Sequence, residues 1–480
     1  MNEAALKDQS INRGFLFISF GAFFIMLSLA THLPAYPHMI AEFNLTPGYA
    51  VWMQLGLAIG LTGFQPLLGW IGDSFGLKIV ILIGGIFMVI GSLLVAFSFS
   101  FWVLVLGLFF KGISGAAIAP SGIAYAGKFM VGTQRAKAIG TFAAFITIGS
   151  VFGPIISGMI VDTANWQASF MFTAVLGGVG IALFAFVPHV KVHARKKLDV
   201  LGLAFVIILL LGLLTIPTFI NSFGIESGMW IPSLLVFVAA LIILIFVEKK
   251  QKAPLLDLKY AVNRNFWVPT TIAVFIFLGY TGIMYLLTFF VQNVQGKAAT
   301  TVGFLQMAVF LGTSVAAYFS GRILKKLSAR TIIGSGILVF ASGIIMLNFV
   351  TLTTPFIYLF ISMSLIGIGV GFQTPAVKGL IVSEASIERM NVVTFTNTVI
   401  ESIAQRLGAS FALVAFSIFS ASGNNVGAVV STSWVIMGFV VIALLFLPLI
   451  PRTIPGIHTN ENDLLGTKII PKPLNIEEIK

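Results

Sequence analysis

The sequence predicts an all-α protein that crosses a membrane many times. Hydrophobic residues make up 58% of the 480 positions and charged residues only 9%, whereas a soluble domain has about 25% charged residues. The mean hydropathy of +1.04 excludes both a water-soluble globular protein and a disordered chain. The 48 glycines and 46 phenylalanines suit closely packed membrane helices better than an aqueous core.

Fourteen apolar stretches each reach about the 20 residues that a helix needs to cross a bilayer. They lie near residues 14–35, 50–72, 79–99, 101–125, 139–161, 168–188, 200–221, 230–247, 266–291, 300–323, 331–350, 355–378, 392–419 and 430–450. A short loop joins the seventh and eighth spans, so that removing this pair would leave twelve spans with unchanged topology.

Two longer, basic segments frame the seventh and eighth spans, and this arrangement predicts two six-helix bundles with two inserted helices between them. The predicted segments are a cytoplasmic N-terminus at 1–13, an N-terminal bundle at 14–188, a linker with two extra spans at 189–265, a C-terminal bundle at 266–450 and a cytoplasmic tail at 451–480.

The basic residues predict the orientation of the chain. The formal net charge is +12, from 28 lysines and arginines against 16 acids. If alternate loops face the cytoplasm, all but three bases fall in or beside cytoplasmic segments, which is the positive-inside pattern. The exceptions are Lys297, in an outer loop, and Lys111 and Arg406, inside apolar stretches. We therefore predict a multi-pass protein of the inner (cytoplasmic) membrane with both termini in the cytoplasm. Nucleic acid is not an expected partner, because the bases lie in short scattered loops.

The sequence offers no motif for catalysis or for a bound cofactor. The absence of cysteine excludes disulfides and thiolate metal sites. Residues 122–128 resemble a phosphate-binding loop, but Phe129 replaces the required Ser or Thr and no strand precedes the segment. We predict no enzyme activity, no cofactor and no metal site. The expected partners are a small-molecule substrate, protons and the lipid bilayer; periplasmic or outer-membrane efflux partners remain open.

A short turn after the second predicted span is repeated, weakly, after the tenth. The segments Gly69–Lys78 and Gly321–Arg330 both begin with glycine and end with a base, and repeated halves are typical of transporters. Asp73 and Lys78 could hold two helices together on the cytoplasmic side. The alternative is an ordinary solvated loop.

These turns resemble the loop signature of the major facilitator superfamily. The matching residues of the first turn are Gly69, Asp73, Gly76 and Lys78, whereas Ser74 and Leu77 replace basic residues of the signature. The fifth span resembles the antiporter signature of drug exporters in the same superfamily. Its matching residues are Arg135, Gly149, Gly153, Pro154 and Gly158. Small residues allow helices to approach closely, and proline bends a helix by removing a backbone hydrogen bond.

The segment 254–266 and the run Gln405–Gly408 resemble the fourteen-helix drug/proton antiporter branch of this superfamily. The resemblance implies proton-coupled export of amphipathic drugs or toxic compounds by alternating access. The alternative on the same fold is a transporter of an endogenous metabolite, siderophore or lipid. The missing first-helix acid, whose position Ile25 occupies, makes this alternative more credible. A second departure is Leu108, which occupies the position of the arginine usual in the fourth helix.

Four ionisable residues inside predicted spans are candidates for proton coupling: Glu401, Lys111, His32 and Arg406. A charged side chain at mid-membrane costs about 2.5–3.5 kcal/mol, so each of these residues is expected to have a structural or functional role. Burial disfavours the charged form of a carboxylate, so that Glu401 could exchange a proton near neutral pH or attract a cationic substrate. The alternative is that Lys111 or Arg406 neutralises Glu401 and the pair only holds helices together. Lys111 could replace the missing arginine or serve as a packing contact.

Uncharged polar residues in the spans are candidates for a substrate pocket of the mostly apolar kind. They are Gln54, Gln65, Tyr280, Tyr285, Gln306, Gln373, Asn397 and Gln405. Helical spacing predicts that Gln54 shares a face with Gln65, and that Asn397 shares one with Glu401. Each is equally a candidate for an ordinary interhelical contact. Lys378, near a cytoplasmic edge, is expected to extend its amine to the surface.

Overall fold

The structure, a computed structural model, describes residues 3–45, 49–130, 132–188, 200–250, 263–324, 326–383, 390–420 and 423–451. Within these ranges every regular element is a helix. The α-helices are α1 Glu3–Leu29, α2 His32–Glu42, α3 Ala50–Ala58, α4 Gln65–Phe75, α5 Leu77–Ala96, α6 Phe101–Phe129, α7 Gly132–Thr163, α8 Trp166–Ala185, α9 Val200–Phe223, α10 Ile231–Lys250, α11 Arg264–Phe289, α12 Ala299–Ile323, α13 Ala329–Leu347, α14 Phe356–Val382, α15 Met390–Ser420 and α16 Asn425–Phe446.

Thirteen helical segments among the described residues are long and apolar enough to cross a membrane. A fourteenth apolar helix, Ile231–Val247, is 17 residues long and corresponds to the predicted eighth span. The first span combines α1 and α2, and the second combines α3 and α4. The predicted all-α polytopic fold is therefore confirmed.

The helices group as predicted for two bundles and an inserted pair. In the N-terminal half α5 packs against α6 and α8, and α1 packs against α7. In the C-terminal half α12 and α13 pack against α14, and α11 packs against α15. Helices α9 and α10 pack against each other, and α9 also contacts α15.

The second span is interrupted by a π turn, Ile59–Gly63, before α4 begins. A π turn has more residues per turn than an α-helix, and it rotates the following segment by roughly a quarter turn. The prediction that Gln54 and Gln65 share a helical face assumed a regular helix, and this π turn lies between the two residues.

The two bundles share an apolar core at one end only. The core of the C-terminal bundle continues into α2, α3 and one end of α6, reaching Tyr36, Met53 and Phe101. A separate cluster, which includes Phe15 and Val187, fills the other end of the N-terminal bundle. We call the shared end, where Asp162 and Lys297 lie, the closed end. The opposite end, which carries Lys78 and the start of α11, is the basic end.

Glycines along the contact between α7 and α12 show how the bundles separate. At the closed end, a Cβ atom on Gly303 would lie 2.5 Å from the Pro154 carbonyl oxygen, and one on Gly158 would lie 2.7 Å from that of Ala299. Gly140 and Gly321 lie five helical turns away on the same faces of α7 and α12. No atom of the described chain lies within 4 Å of a Cβ placed on either. The bundles therefore touch at the closed end and splay apart toward the basic end.

Candidate transport site

Lys111 lies in α6 and is completely buried inside the N-terminal bundle. Its Nζ donates to the Ser28 carbonyl oxygen and to Thr173 Oγ1, at 3.2 Å each. The amine also lies 4.5 Å from the ring centroid of Phe170. Thr173 Oγ1 in turn lies 2.9 Å from Ser92 Oγ. This amine is therefore held by neutral dipoles and a ring face from two neighbouring spans, α1 and α8, and no carboxylate of the described residues pairs with it.

Glu401 lies in α15 and is 6% exposed. Its Oε2 is 2.5 Å from Lys378 Nζ of α14, and its Oε1 is buried with no hydrogen-bond partner among the described residues. The hypothesis that Lys111 or Arg406 neutralises this carboxylate is wrong, because Lys378 does so. Two helices of the C-terminal bundle thus meet through one ion pair.

Lys378 is the member of this cluster whose partners the sequence did not predict. It also donates to Asn397 Oδ1 at 2.5 Å, and Asn397 Nδ2 donates to Thr270 Oγ1 of α11 at 3.2 Å. The predicted shared face of Asn397 and Glu401 thus contacts Lys378. The sequence does place Lys378 at the end of a predicted span, four residues before α14 ends. Hydropathy cannot show which residue of a neighbouring helix pairs with it. Its side chain is still 35% exposed, which agrees in part with the expected extension toward the surface.

Gln54 and Tyr285 meet at the junction of the two bundles. The Tyr285 hydroxyl donates to Gln54 Oε1, and both residues are buried. The ring of Tyr36 lies 5.9 Å from that of Tyr285, and the ring of His32 lies 5.3 Å from that of Tyr36. His32 Nδ1 lies 2.8 Å from the Leu29 carbonyl oxygen. These four residues join α2 and α3 to α11 and cover the junction on its closed side.

Arg406 lies beside this junction, at the middle of α15. It is close enough for its charge to interact with the hydroxyls of Tyr36 and Tyr285. The following residue, Leu407, packs against a cluster that includes Leu55 of α3, so this part of α15 faces the N-terminal bundle. The Arg406 Nε atom is buried and has no hydrogen-bond partner among the described residues.

The remaining pocket candidates lie apart from one another. Gln306 Nε2 is 3.5 Å from Thr288 Oγ1, and the two residues pack beside Met284 and Leu305 within the C-terminal bundle. Gln373 is buried beside α13, and Tyr280 packs its ring 6.3 Å from Phe277. Gln65 and Gln405 are half-buried. Among the eight candidates, Gln54 and Tyr285 are the two that the described side-chain hydrogen bonds join to each other.

The residues of the fifth span pack on both bundles. Cβ atoms on Gly149 and Gly153 would lie 2.5 and 2.6 Å from carbonyl oxygens of α1, whereas Pro154 and Gly158 contact α12. Helix α7 thus lies between a helix of its own bundle and one of the other. The Arg135 side chain lies outside the described part of the structure.

In the turn after the second span, two of the four signature residues have a structural role that the contacts show. Gly76 has a φ of +103°, a conformation that favours glycine, and it joins α4 directly to α5. Lys78 Nζ donates to the Ala185 carbonyl oxygen at the C-terminus of α8, at 2.7 Å. Lys78 therefore links α5 to α8. Gly69 faces open space, and the Asp73 side chain lies outside the described part of the structure.

Two helical bundles that touch at one end, with buried charges in and between them, define a helical membrane transporter. The family model described as Major Facilitator Superfamily matches residues 18–200 and 198–409, and the chain belongs to that superfamily.

The curated relatives of the chain are transporters and resistance proteins. The chain is 26% identical over 363 residues to "Multidrug transporter protein MdtP" of Bacillus subtilis (strain 168), covering 74% of this chain and 66%, just under two thirds, of that protein. It is 25% identical over 387 residues to "Multidrug resistance protein 3" of the same strain, covering 78% of this chain and 74% of that protein. It is 23% identical over 386 residues to "Quinolone resistance protein NorB" of Staphylococcus aureus (strain MSSA476), covering 78% and 83% respectively.

Solved structures share the fold. A POT family transporter in complex with 5-aminolevulinic acid superposes with a TM-score of 0.67 at 16% identity, over 92% of this chain and 96% of that one. A bacterial homologue of the human lysosomal transporter Spinster, in an inward-facing and unoccupied conformation, gives a TM-score of 0.64 at 16% identity, over 95% and 99%. At these identities the similarity concerns the fold alone.

Proposed function

We propose that this transporter exports amphipathic drugs or toxic compounds across the cytoplasmic membrane in exchange for protons. The names of the curated relatives support multidrug efflux. The positive-inside pattern supports placing the basic end, and both termini, in the cytoplasm. With that orientation the bundles separate toward the cytoplasm, which is where an exporter loads its substrate. Alternating access then consists of closing the basic end and opening the closed end.

The observation that carries the proton role is the environment of Glu401. One carboxylate oxygen is paired with Lys378, and the other is buried without a partner among the described residues. A proton added to this group cancels the attraction to Lys378 and changes the net charge of the pair from zero to +1. Because the Lys378 side chain is 35% exposed, water can reach the pair. Protonation would therefore loosen the contact between α14 and α15, as a coupling step requires.

Replacing the carboxylate by an amide tests this role. We expect Glu401→Gln to abolish proton-driven transport while the amount of protein in the membrane stays unchanged, because the amide keeps the shape but cannot take up a proton. The measurement is uptake of a fluorescent dye into inverted vesicles with and without an imposed pH gradient. Glu226→Gln, at an exposed carboxylate between the seventh and eighth spans, is the matched control. Gradient-driven transport that is equal in both variants would remove Glu401 from the mechanism.

The second candidate function keeps the fold and changes the cargo to an endogenous metabolite, siderophore or lipid. The observation that favours it is Ile25, which holds the position of the branch's first-helix acid and is completely buried in the apolar core of the N-terminal bundle. A substrate screen in a pump-deficient bacterial host separates the two. Broad drug resistance supports the exporter, and a growth phenotype tied to one nutrient supports the alternative.

A further inference from the structure

The buried charges within the described spans do not balance. Glu401 is the only acid among the buried side chains of the described residues, and Lys378 already neutralises it. Two cations of the spans, the buried Lys111 and the half-buried Arg406, then have no ion pair among the described residues. The interior of the transporter is therefore electropositive.

Only one of these two cations is placed to meet a substrate. Lys111 is completely enclosed within its own bundle, where Ser28, Thr173 and Phe170 surround its amine. Arg406 instead lies at the junction of the two bundles, on the part of α15 that faces α3. Tyr36 and Tyr285 are within range of its charge, and Tyr285 is hydrogen-bonded to Gln54.

The Arg406 side chain is partly exposed, but one of its guanidinium donors has no partner in the described part of the chain. Its Nε is shielded from water and unbonded among the described residues. An unsatisfied charged donor removed from water is costly, and natural structures retain one where a ligand supplies the missing acceptor. The planar guanidinium presents donors in a fork that fits two oxygens of one carboxylate or similar anion.

We propose that the substrates of this transporter carry a negatively charged group, such as a carboxylate, which binds Arg406 at the junction of the two bundles. This inference rests on the proposed export function and specifies its substrate class. It replaces the initial idea that Glu401 attracts a cationic substrate, because Lys378 occupies that carboxylate.

Binding to the purified full-length protein in detergent tests the proposal. The probes are pyrenebutyrate, its uncharged methyl ester and the cation pyrenebutylamine. Trp52 packs in the same cluster as Leu407, so it is a suitable energy donor for a pyrene bound beside Arg406. We expect the wild-type protein to bind the acid about tenfold or more tightly than the ester, as one charge-assisted hydrogen-bonded pair allows. The amine should bind least well.

Substitutions of Arg406 test whether this residue causes the preference for the acid over the ester. Arg406→Gln should lower affinity for the acid to that for the ester without changing ester binding, and Arg406→Lys should retain part of the preference. The exposed Arg13→Gln is the matched loss of one arginine and should behave as wild type. Equal binding of acid and ester by the wild-type protein, or an unchanged preference in Arg406→Gln, would overturn the proposal.

The binding experiment is independent of proton drive, because no gradient is present. If Glu401→Gln kept full gradient-driven efflux while Arg406→Gln lost the acid preference, the coupling assignment would fail and the anion site would stand.

Discussion

Lys111 and Lys378 are both lysines within membrane helices, but their surroundings assign them different roles. Lys378 has a carboxylate 2.5 Å away and is partly exposed. Lys111 is fully buried with two oxygen acceptors and a ring face, and no carboxylate of the described chain compensates its charge. A pure packing contact does not need a charge, because an apolar side chain of similar volume fills the same space at lower desolvation cost. The environment of Lys111 therefore favours a functional role.

Lys111→Met separates function from packing. We expect transport activity to fall while the melting temperature of the purified protein stays equal to the wild-type value or rises, since an uncompensated buried charge is removed. Dye transport in vesicles and thermal unfolding in detergent measure the two effects. A large drop in melting temperature with a proportional loss of folded protein would instead show that Lys111 serves only to stabilise helix packing.

At the scale of elements, α7 is the helix that links the two bundles. Its glycines allow backbone contact with α1 on one side and with α12 on the other. Asp162, near its end, accepts hydrogen bonds from the backbone amides of Ala299 and Thr300 at 2.8 and 2.7 Å, and so caps the first turn of α12. The closed end is thus held by close packing and by a cap that crosses between bundles.

Gly303→Ala tests the importance of this contact. The added Cβ would lie 2.5 Å from the Pro154 carbonyl oxygen, so the backbones must move apart and the closed end should open more often. A cysteine at Val291, which is fully buried near this end, should then react faster with a membrane-impermeant maleimide. The control is Gly178→Ala, whose Cβ would meet no described atom within 4 Å. Equal labelling rates in both variants would contradict the role of Gly303.

At the scale of the whole molecule, the two bundles are joined asymmetrically. A shared core, the Tyr285–Gln54 hydrogen bond and a hydrogen bond of 3.0 Å from Gln292 Nε2 to the Pro34 carbonyl oxygen connect them toward the closed end. Toward the basic end, α7 and α12 separate around Gly140 and Gly321. This asymmetry defines one of the two states that a rocking transporter needs.

The separation can be measured directly because the chain contains no cysteine to remove. We expect cysteines introduced at Gly140 and Gly321 to be too far apart for a short bifunctional crosslinker in the resting protein. Crosslinking should increase when substrate and a pH gradient drive turnover, since that end must then close transiently. Equal crosslinking under both conditions would exclude a rocking motion of the two bundles about the contact between α7 and α12.

The sequence predicted the architecture well and the site only in part. Hydropathy and spacing gave the all-α polytopic fold, and the loop and fifth-span motifs indicated the superfamily to which the chain belongs. The ionisable residues were also identified, because a charge inside an apolar stretch is conspicuous in one sequence. Their partners were not, and the pairing of the partly exposed Lys378 with Glu401 was not predicted. The π turn at Ile59–Gly63 had no warning in the residue pattern and changed the faces of the second span.

By itself the sequence determined what must lie in the membrane, because the free energy of transferring a segment into lipid depends on its local composition. Only the tertiary structure decided which charged side chains pair with each other. The reason is that the rotation of each helix, its depth in the membrane and the contacts between bundles are set by packing between distant segments. The tertiary structure paired Glu401 with Lys378, enclosed Lys111 within one bundle and left Arg406 at the junction. The same packing decided which end is closed, because small residues permit backbone contact only where two helices are brought face to face.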